Sequence, residues 1–118
     1  MQWFIRRAFN TPHSSKQIED AIGWALETNA ETLIASTVGD LAARATRRGQ
    51  TALARRARCP VLVISAPNDR ITAHADAGAL AKATSGTLLS VPDGGHNPQS
   101  RKPVSVNLAL RHFIEQLS

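Results

Sequence analysis

The sequence predicts an α/β fold in which a helical region, residues 1–58, precedes a β-α-β-α segment, residues 59–118. Two observations support this division. The first region has apolar residues at helical spacing and no strand candidate, whereas the second has two short apolar runs, 61–65 and 87–91, on either side of an Ala-rich stretch. A strand, a helix and a strand at this length form a βαβ unit with parallel strands. We therefore expect two parallel strands flanked by helices.

The first region begins with a short predicted helix over residues 2–9. Pro12 should end it, because the residue before a proline is biased away from helical geometry. Residues 14–17 then have the form of a capping box, in which a serine and a glutamine satisfy the free N–H groups at a helix start. The apolar stripe that follows predicts a helix from about residue 15 to 28. Trp24 lies off that stripe, so it either packs against a neighbouring element, which we favour, or faces a pocket.

Two further helices are predicted before the first strand. Residues 28–31 repeat the cap pattern, and apolar positions through 38 continue at helical spacing. Gly39 is expected to interrupt or end this helix, because glycine is a poor helix former. An Ala- and Arg-rich segment, residues 40–57, predicts another helix, and Gly49 is a candidate break within it.

The second region opens with a continuous apolar run, 61–64, which suits a strand buried on both faces of a parallel sheet. Thr72 is placed to cap a helix over about 73–84, and the second strand follows at 87–91. Pro103 suits the first position of a last helix, where its missing N–H costs nothing. The predicted buried face of that helix consists of Val106, Ala109, Leu110, Phe113, Ile114 and Leu117.

The net charge of +5 comes mainly from arginines in a stretch that contains no acid. These arginines are Arg44, Arg47, Arg48, Arg55, Arg56 and Arg58. Such a stretch can bind nucleic acid, or it can form a solvated helix face. We favour the solvated face, because no nucleic-acid motif or interleaved aromatic residue accompanies the charge.

Several functional classes are disfavoured by composition. The lone Cys59 cannot form an internal disulfide or a cysteine cluster, and we expect it to be a small buried hydrophobe. No two histidines have metal-ligand spacing, so we predict no metal and no cofactor. The apolar run near the N-terminus is too short for a signal peptide, and no run reaches membrane-spanning length. A soluble, cytoplasmic protein is the expectation.

Asp69 and His96 are the candidate catalytic residues, since each follows one of the two predicted strands. Loops after the carboxyl ends of parallel strands meet at one sheet edge, where ligand sites of such sheets lie. A buried carboxylate can fix the tautomer of a histidine that acts as a general base. Gly94 and Gly95 would allow a sharply turned loop before His96. Alternatively, Asp69 caps a turn and the Gly-Gly-His segment is a surface turn; spacing alone does not decide between the two.

Several segments of the sequence resemble the C-terminal part of α/β-hydrolase-fold enzymes. Residues 59–64 with Asn68-Asp69 resemble the penultimate strand and acid loop of that family. Val91-Pro92 through Gly95-His96, with Pro103 and the closing helix, resemble its last strand, histidine loop and last helix, and residues 3–38 are similar to the lid of some members. The resemblance implies an incomplete α/β-hydrolase fold, with Asp69 as orienting acid and His96 as general base in the hydrolysis of an ester or related bond.

The sequence departs from that family in one important respect. It contains no Gly-x-Nuc-x-Gly nucleophile turn, and the family's acid and histidine both follow such a turn. We therefore expect a hydrolase segment that is inactive alone, self-associates or complements an N-terminal half, and handles a small apolar ester-like substrate. The alternatives are a non-catalytic protein-interaction remnant and, less favoured, an arginine-rich nucleic-acid binder.

Overall fold

The computed structural model describes residues 2–9, 15–45 and 47–117, and it confirms the predicted α/β class. The elements of the helical region are α1 (Gln2–Ala8), α2 (Lys16–Leu26), α3 (Ala30–Ala45) and α4 (Arg47–Ala54). Those of the second region are β1 (Leu62–Ser65), α5 (His74–Thr84), β2 (Thr87–Ser90), α6 (Pro98–Arg101) and α7 (Pro103–Glu115). The finer assignment, an incomplete α/β-hydrolase fold, stays a prediction.

The two glycine breaks predicted in the helical region do not occur. Gly39 lies inside α3 and Gly49 lies inside α4. A glycine costs a helix interior only about 1 kcal/mol relative to alanine, which the remaining helix formers offset. The start of α3 is confirmed, because Asn29 Oδ1 accepts the N–H of Thr32 at 2.8 Å as an N-cap does. The capping box predicted at 14–17 begins at Ser14, which lies outside the described residues.

The βαβ unit sets the geometry of the second region. β1 and β2 pair in parallel, with Leu62 opposite Thr87 at one end and Ser65 opposite Ser90 at the other. α5 packs on both strands. A Cβ at Gly86 would lie 2.5 Å from the Val61 carbonyl oxygen, so this close return from helix to strand requires glycine. Because both strands end at the same edge, the loops that follow them lie side by side.

The structure corrects four burial predictions. The first strand is not buried on both faces, since Val63 is the one buried residue of β1. Of the face predicted for α7, Val106 is buried, whereas Ile114 and Leu117 are more than half exposed. Trp24 does not pack into a neighbour, since it is 66% exposed, and Cys59 is exposed rather than buried. Periodicity identifies the apolar face of a helix, but only a neighbouring element can cover it. Within the described part of the chain, these positions have no such cover.

Large apolar side chains are therefore exposed along two helices. They are Ile34, Val38 and Leu41 on α3, Val104, Leu108, Leu110 and Ile114 on α7, and Leu117 directly after α7. The radius of gyration, 15.8 Å, exceeds the roughly 13.5 Å expected of a compact domain of this length. Apolar surface that is left in water favours association.

We expect the isolated chain to self-associate through these helices. The weight-average sedimentation coefficient should rise with protein concentration, and Ile114→Ser should reduce the rise because it removes an exposed apolar group. Asn107→Ser, a change at an exposed polar position of the same helix, is the matched control and should leave it unchanged. A monomer at every concentration with one sharp unfolding transition would contradict this prediction.

Candidate active site

The structure brings Asp69 and His96 into direct contact, a possibility that their positions after the two strands had left open. His96 Nδ1 lies 3.0 Å from Asp69 Oδ2. The Asp69 side chain is 6% exposed and that of His96 is 32% exposed, so the acid is buried beneath a partly accessible imidazole. Their catalytic roles stay predictions, but this is the arrangement in which a carboxylate can orient a base.

Four hydrogen bonds hold the Asp69 carboxylate. Oδ1 accepts the backbone N–H groups of Ile71 at 2.7 Å and Thr72 at 3.1 Å. Oδ2 accepts the Thr72 hydroxyl at 2.6 Å in addition to His96. Asp69 thus caps the turn that follows it and also contacts the histidine, so the two sequence interpretations are compatible. Thr72 does not cap α5 as predicted, because its hydroxyl is directed to the carboxylate and Ala73 precedes the helix.

These contacts decide the charge of Asp69. Burial, the largest single influence, raises the pKa of the carboxyl group, but hydrogen bonds from Thr72, His96 and Ile71 together lower it to about 2. Asp69 is therefore ionised near neutral pH and can only accept hydrogen bonds. It follows that His96 Nδ1 carries the proton in this contact, which leaves Nε2 of a neutral imidazole as the basic nitrogen.

Close approach and backbone freedom shape the loop that carries His96. Gly95 has a φ of 60°, a conformation that glycine adopts without strain, and its N–H donates to Asn68 Oδ1 at 3.0 Å. Gly94 is needed for space instead, because a Cβ there would lie 2.9 Å from Pro98 Cβ. This hydrogen bond joins the loop that carries His96 to the loop that carries Asp69, because Gly95 and Asn68 are the residues directly before the two candidates.

A cavity of about 860 Å³ adjoins the pair, and both Asp69 and His96 line it. Its size lies in the range of small-molecule sites. Val63, Ile64 and Leu80 contribute apolar wall, and Ser65 contributes a hydroxyl. His96 therefore lines a space whose wall has both apolar and polar parts.

Sequence reasoning missed the roles that several polar residues have around the pair. Ser65 Oγ lies 3.1 Å from His74 Nδ1, a contact that links the end of β1 to the start of α5. Asn68 and Thr72 hold the two loops, as described above. A signal for all of them was available, because each is a polar residue at the end of the first strand, in the loop that follows it or at the start of the next helix.

Other features of the described residues point to no further chemistry. No group of three potential metal ligands occurs among them. None of the helices in the described ranges is long and apolar enough to cross a membrane. Arg55, Arg56 and Arg58 are exposed, and the side chains of the arginines at 44, 47 and 48 lie outside what the structure describes. The solvated-face interpretation of this stretch stays a prediction.

No protein-family model, curated protein or solved structure matches this chain. Its resemblance to α/β-hydrolases therefore stays a hypothesis that depends on a few motifs. The strongest support for a function is the chemistry of the Asp69–His96 pair and its cavity.

Proposed function

We propose that Asp69 and His96 form the acid–base half of a hydrolytic site for an ester or related bond. The nucleophile would come from another polypeptide segment, because the sequence has no nucleophile turn of its own. The observation that carries the proposal is the 3.0 Å bond from His96 Nδ1 to an ionised, buried carboxylate beside a cavity. An isolated surface histidine would have neither a fixed tautomer nor a space for substrate.

The pair would move one proton in each direction. His96 Nε2 takes the proton of the nucleophile's hydroxyl as that oxygen attacks the substrate carbonyl, and Asp69 stabilises the resulting imidazolium. The same nitrogen then returns the proton to the leaving alkoxide, which departs as an alcohol. A water molecule then attacks the acylated nucleophile. His96 Nε2 takes a proton from this water and returns it to the nucleophile's oxygen, so that the carboxylic acid product is released and the nucleophile is restored. Asp69 stays ionised throughout, in keeping with its low pKa.

The cavity wall indicates the class of substrate. Apolar side chains such as Val63, Ile64 and Leu80 would bind an acyl or alkyl group by excluding water from it. Among the described residues, Asp76 is the one ionisable residue that lines the cavity besides Asp69 and His96. A small, uncharged ester with an apolar group fits this lining better than a polyanionic substrate, which the carboxylates of Asp69 and Asp76 would repel.

The exposed apolar faces of α3 and α7 favour a second candidate function. In that case the chain is an interaction module that binds a protein partner through these helices and performs no chemistry. The two functions differ in one respect that can be measured. Partner binding without catalysis would not depend on His96.

The test is an activity assay on the chain together with whatever it binds. A tagged chain is captured from cells of its source organism, and hydrolysis of p-nitrophenyl butyrate by the captured assembly is measured. We expect turnover in the wild type, its loss in His96→Ala, and no change in His112→Ala, which removes an exposed histidine of α7.

Two results would contradict the proposal. Equal turnover in the His96→Ala and wild-type assemblies would remove His96 from the chemistry. Turnover by the purified chain alone that Ser65→Ala abolishes would show that the chain carries its own nucleophile. In that second case the role of His96 could stand, but the external nucleophile would be wrong.

A further inference from the structure

The N-terminal helix α1 packs against the acid loop from a distant part of the sequence. Ile5, Ala8 and Phe9 form a buried cluster, with exposed fractions of 5–7%. Ile71 packs against this cluster. The backbone N–H of the same Ile71 donates to Asp69 Oδ1 at 2.7 Å. One residue thus contacts α1 through its side chain and holds the carboxylate through its backbone.

The helical region also holds the histidine loop. The N–H of His96 donates to the Ala8 carbonyl oxygen at 3.2 Å. Further along the chain, the Gln17 side-chain amide on α2 donates to the Ser100 carbonyl oxygen in α6. The segment from His96 to Ser100 is therefore attached to α1 at one end and to α2 at the other.

These contacts connect α1 to both loops of the candidate site through the backbone and packing. The described residues show no hydrogen bond from α1 to the side chain of Asp69 or His96. The position of the His96 imidazole depends on the His96 backbone, which is hydrogen-bonded to Ala8. The position of the Asp69 carboxylate depends on the turn in which the Ile71 N–H donates to it. A loss of α1 packing would therefore shift the two groups relative to each other.

We propose that α1 is a positioning element that sets the Asp69–His96 hydrogen bond, and that Ile5 of α1 and Phe9, which directly follows it, are the positioning residues. The effect of α1 on catalysis rests on the proposed hydrolytic function, whereas the dependence of the Asp69–His96 hydrogen bond on α1 packing does not. A displacement of about 1 Å in a reacting group can cost about a hundredfold in rate. A ligand or partner that lifts α1 would thus switch off the base without touching it.

The test compares two phenylalanines of the same segment by NMR. Phe9 is 7% exposed and Phe4 is 47% exposed, so Phe9→Ala removes packing that Phe4→Ala leaves in place. The readout is the imidazole of His96 in the full chain: the solvent exchange rate of its Nδ1–H and its titration curve. Because no substrate is involved, the result does not depend on whether the hydrolytic function is right.

We expect Phe9→Ala to raise the exchange rate of the His96 Nδ1–H at least tenfold and to shift its titration, with His112 unchanged. Phe4→Ala should leave both readouts at wild-type values, and Phe9→Leu should restore most of the protection. If Phe9→Ala does not fold, Ile5→Val, which removes one methylene group from the same cluster, should give the same effect in smaller measure. An unchanged His96 signal in a variant whose α1 amides exchange freely would overturn the proposal.

Discussion

Asp69→Asn is expected to lower turnover by the proposed hydrolytic assembly about ten-thousandfold, because it reverses the tautomer of His96. In the wild type, Asp69 Oδ1 accepts the N–H groups of Ile71 and Thr72. An asparagine must keep its amide oxygen at that position, since an NH₂ group there would face two donors. Its NH₂ group then lies at the position of Oδ2 and donates to His96 Nδ1. The proton of the imidazole moves to Nε2, which can no longer act as a base.

The control for this experiment is an equivalent change in the histidine loop. Asp93 is exposed and has a φ of 58°, a conformation that asparagine tolerates well, so Asp93→Asn should keep wild-type turnover. The measurement is kcat for p-nitrophenyl butyrate in assemblies with matched amounts of each variant. Turnover of the Asp69→Asn assembly within tenfold of the wild type would remove Asp69 from the mechanism.

Acid should destabilise the chain by about 2 kcal/mol through Asp69 alone. The pKa of this carboxyl group is about 2 in the folded chain, against an ordinary value of 3.8. A group whose folded pKa is lowered stabilises the fold fully above the unfolded pKa, and the stabilisation disappears as pH falls through the folded pKa. The loss therefore lies between about pH 5 and pH 2.

Urea unfolding at several pH values across this window measures the effect. The free energy of unfolding of the wild type should fall more steeply than that of Asp69→Asn, which has no carboxylate to protonate at this position. Asp93→Asn should follow the wild-type curve, because it keeps Asp69. Parallel curves for the wild type and Asp69→Asn would show that the carboxylate contributes nothing to stability in acid.

Local patterns in the sequence were sufficient to predict the βαβ unit and to place the loops after its two strands at one sheet edge, whereas spacing alone left the contact between Asp69 and His96 undecided. Both predictions depend on short-range rules: continuous apolar runs form strands, and parallel strands end at one edge. The positions of Asp69 and His96 after these strands then followed without knowledge of the rest of the chain. Helix starts at Asn29 and Pro103 were predictable for the same reason, since they depend on neighbouring residues.

Features that depend on distant residues could not be predicted in this way. The burial of α7 was overestimated because periodicity does not reveal whether another element covers a helix. Thr72 was assigned to the helix that follows it, although its hydroxyl donates to the preceding acid. The packing of Ile71 against α1 and the bond from His96 to Ala8 had no signal at all, since both join segments far apart in the sequence.

The bond between Ala8 and His96 has a consequence for the order of folding. Contacts between residues so distant along the chain require the closure of a large loop, and they form late for that reason. A ribosome releases Ala8 long before His96, so Ile5 and Phe9 stay exposed to solvent in the growing chain until the second region has been synthesised. The site would thus mature only after synthesis of the second region, and the nascent N-terminal segment would be a natural client for chaperones.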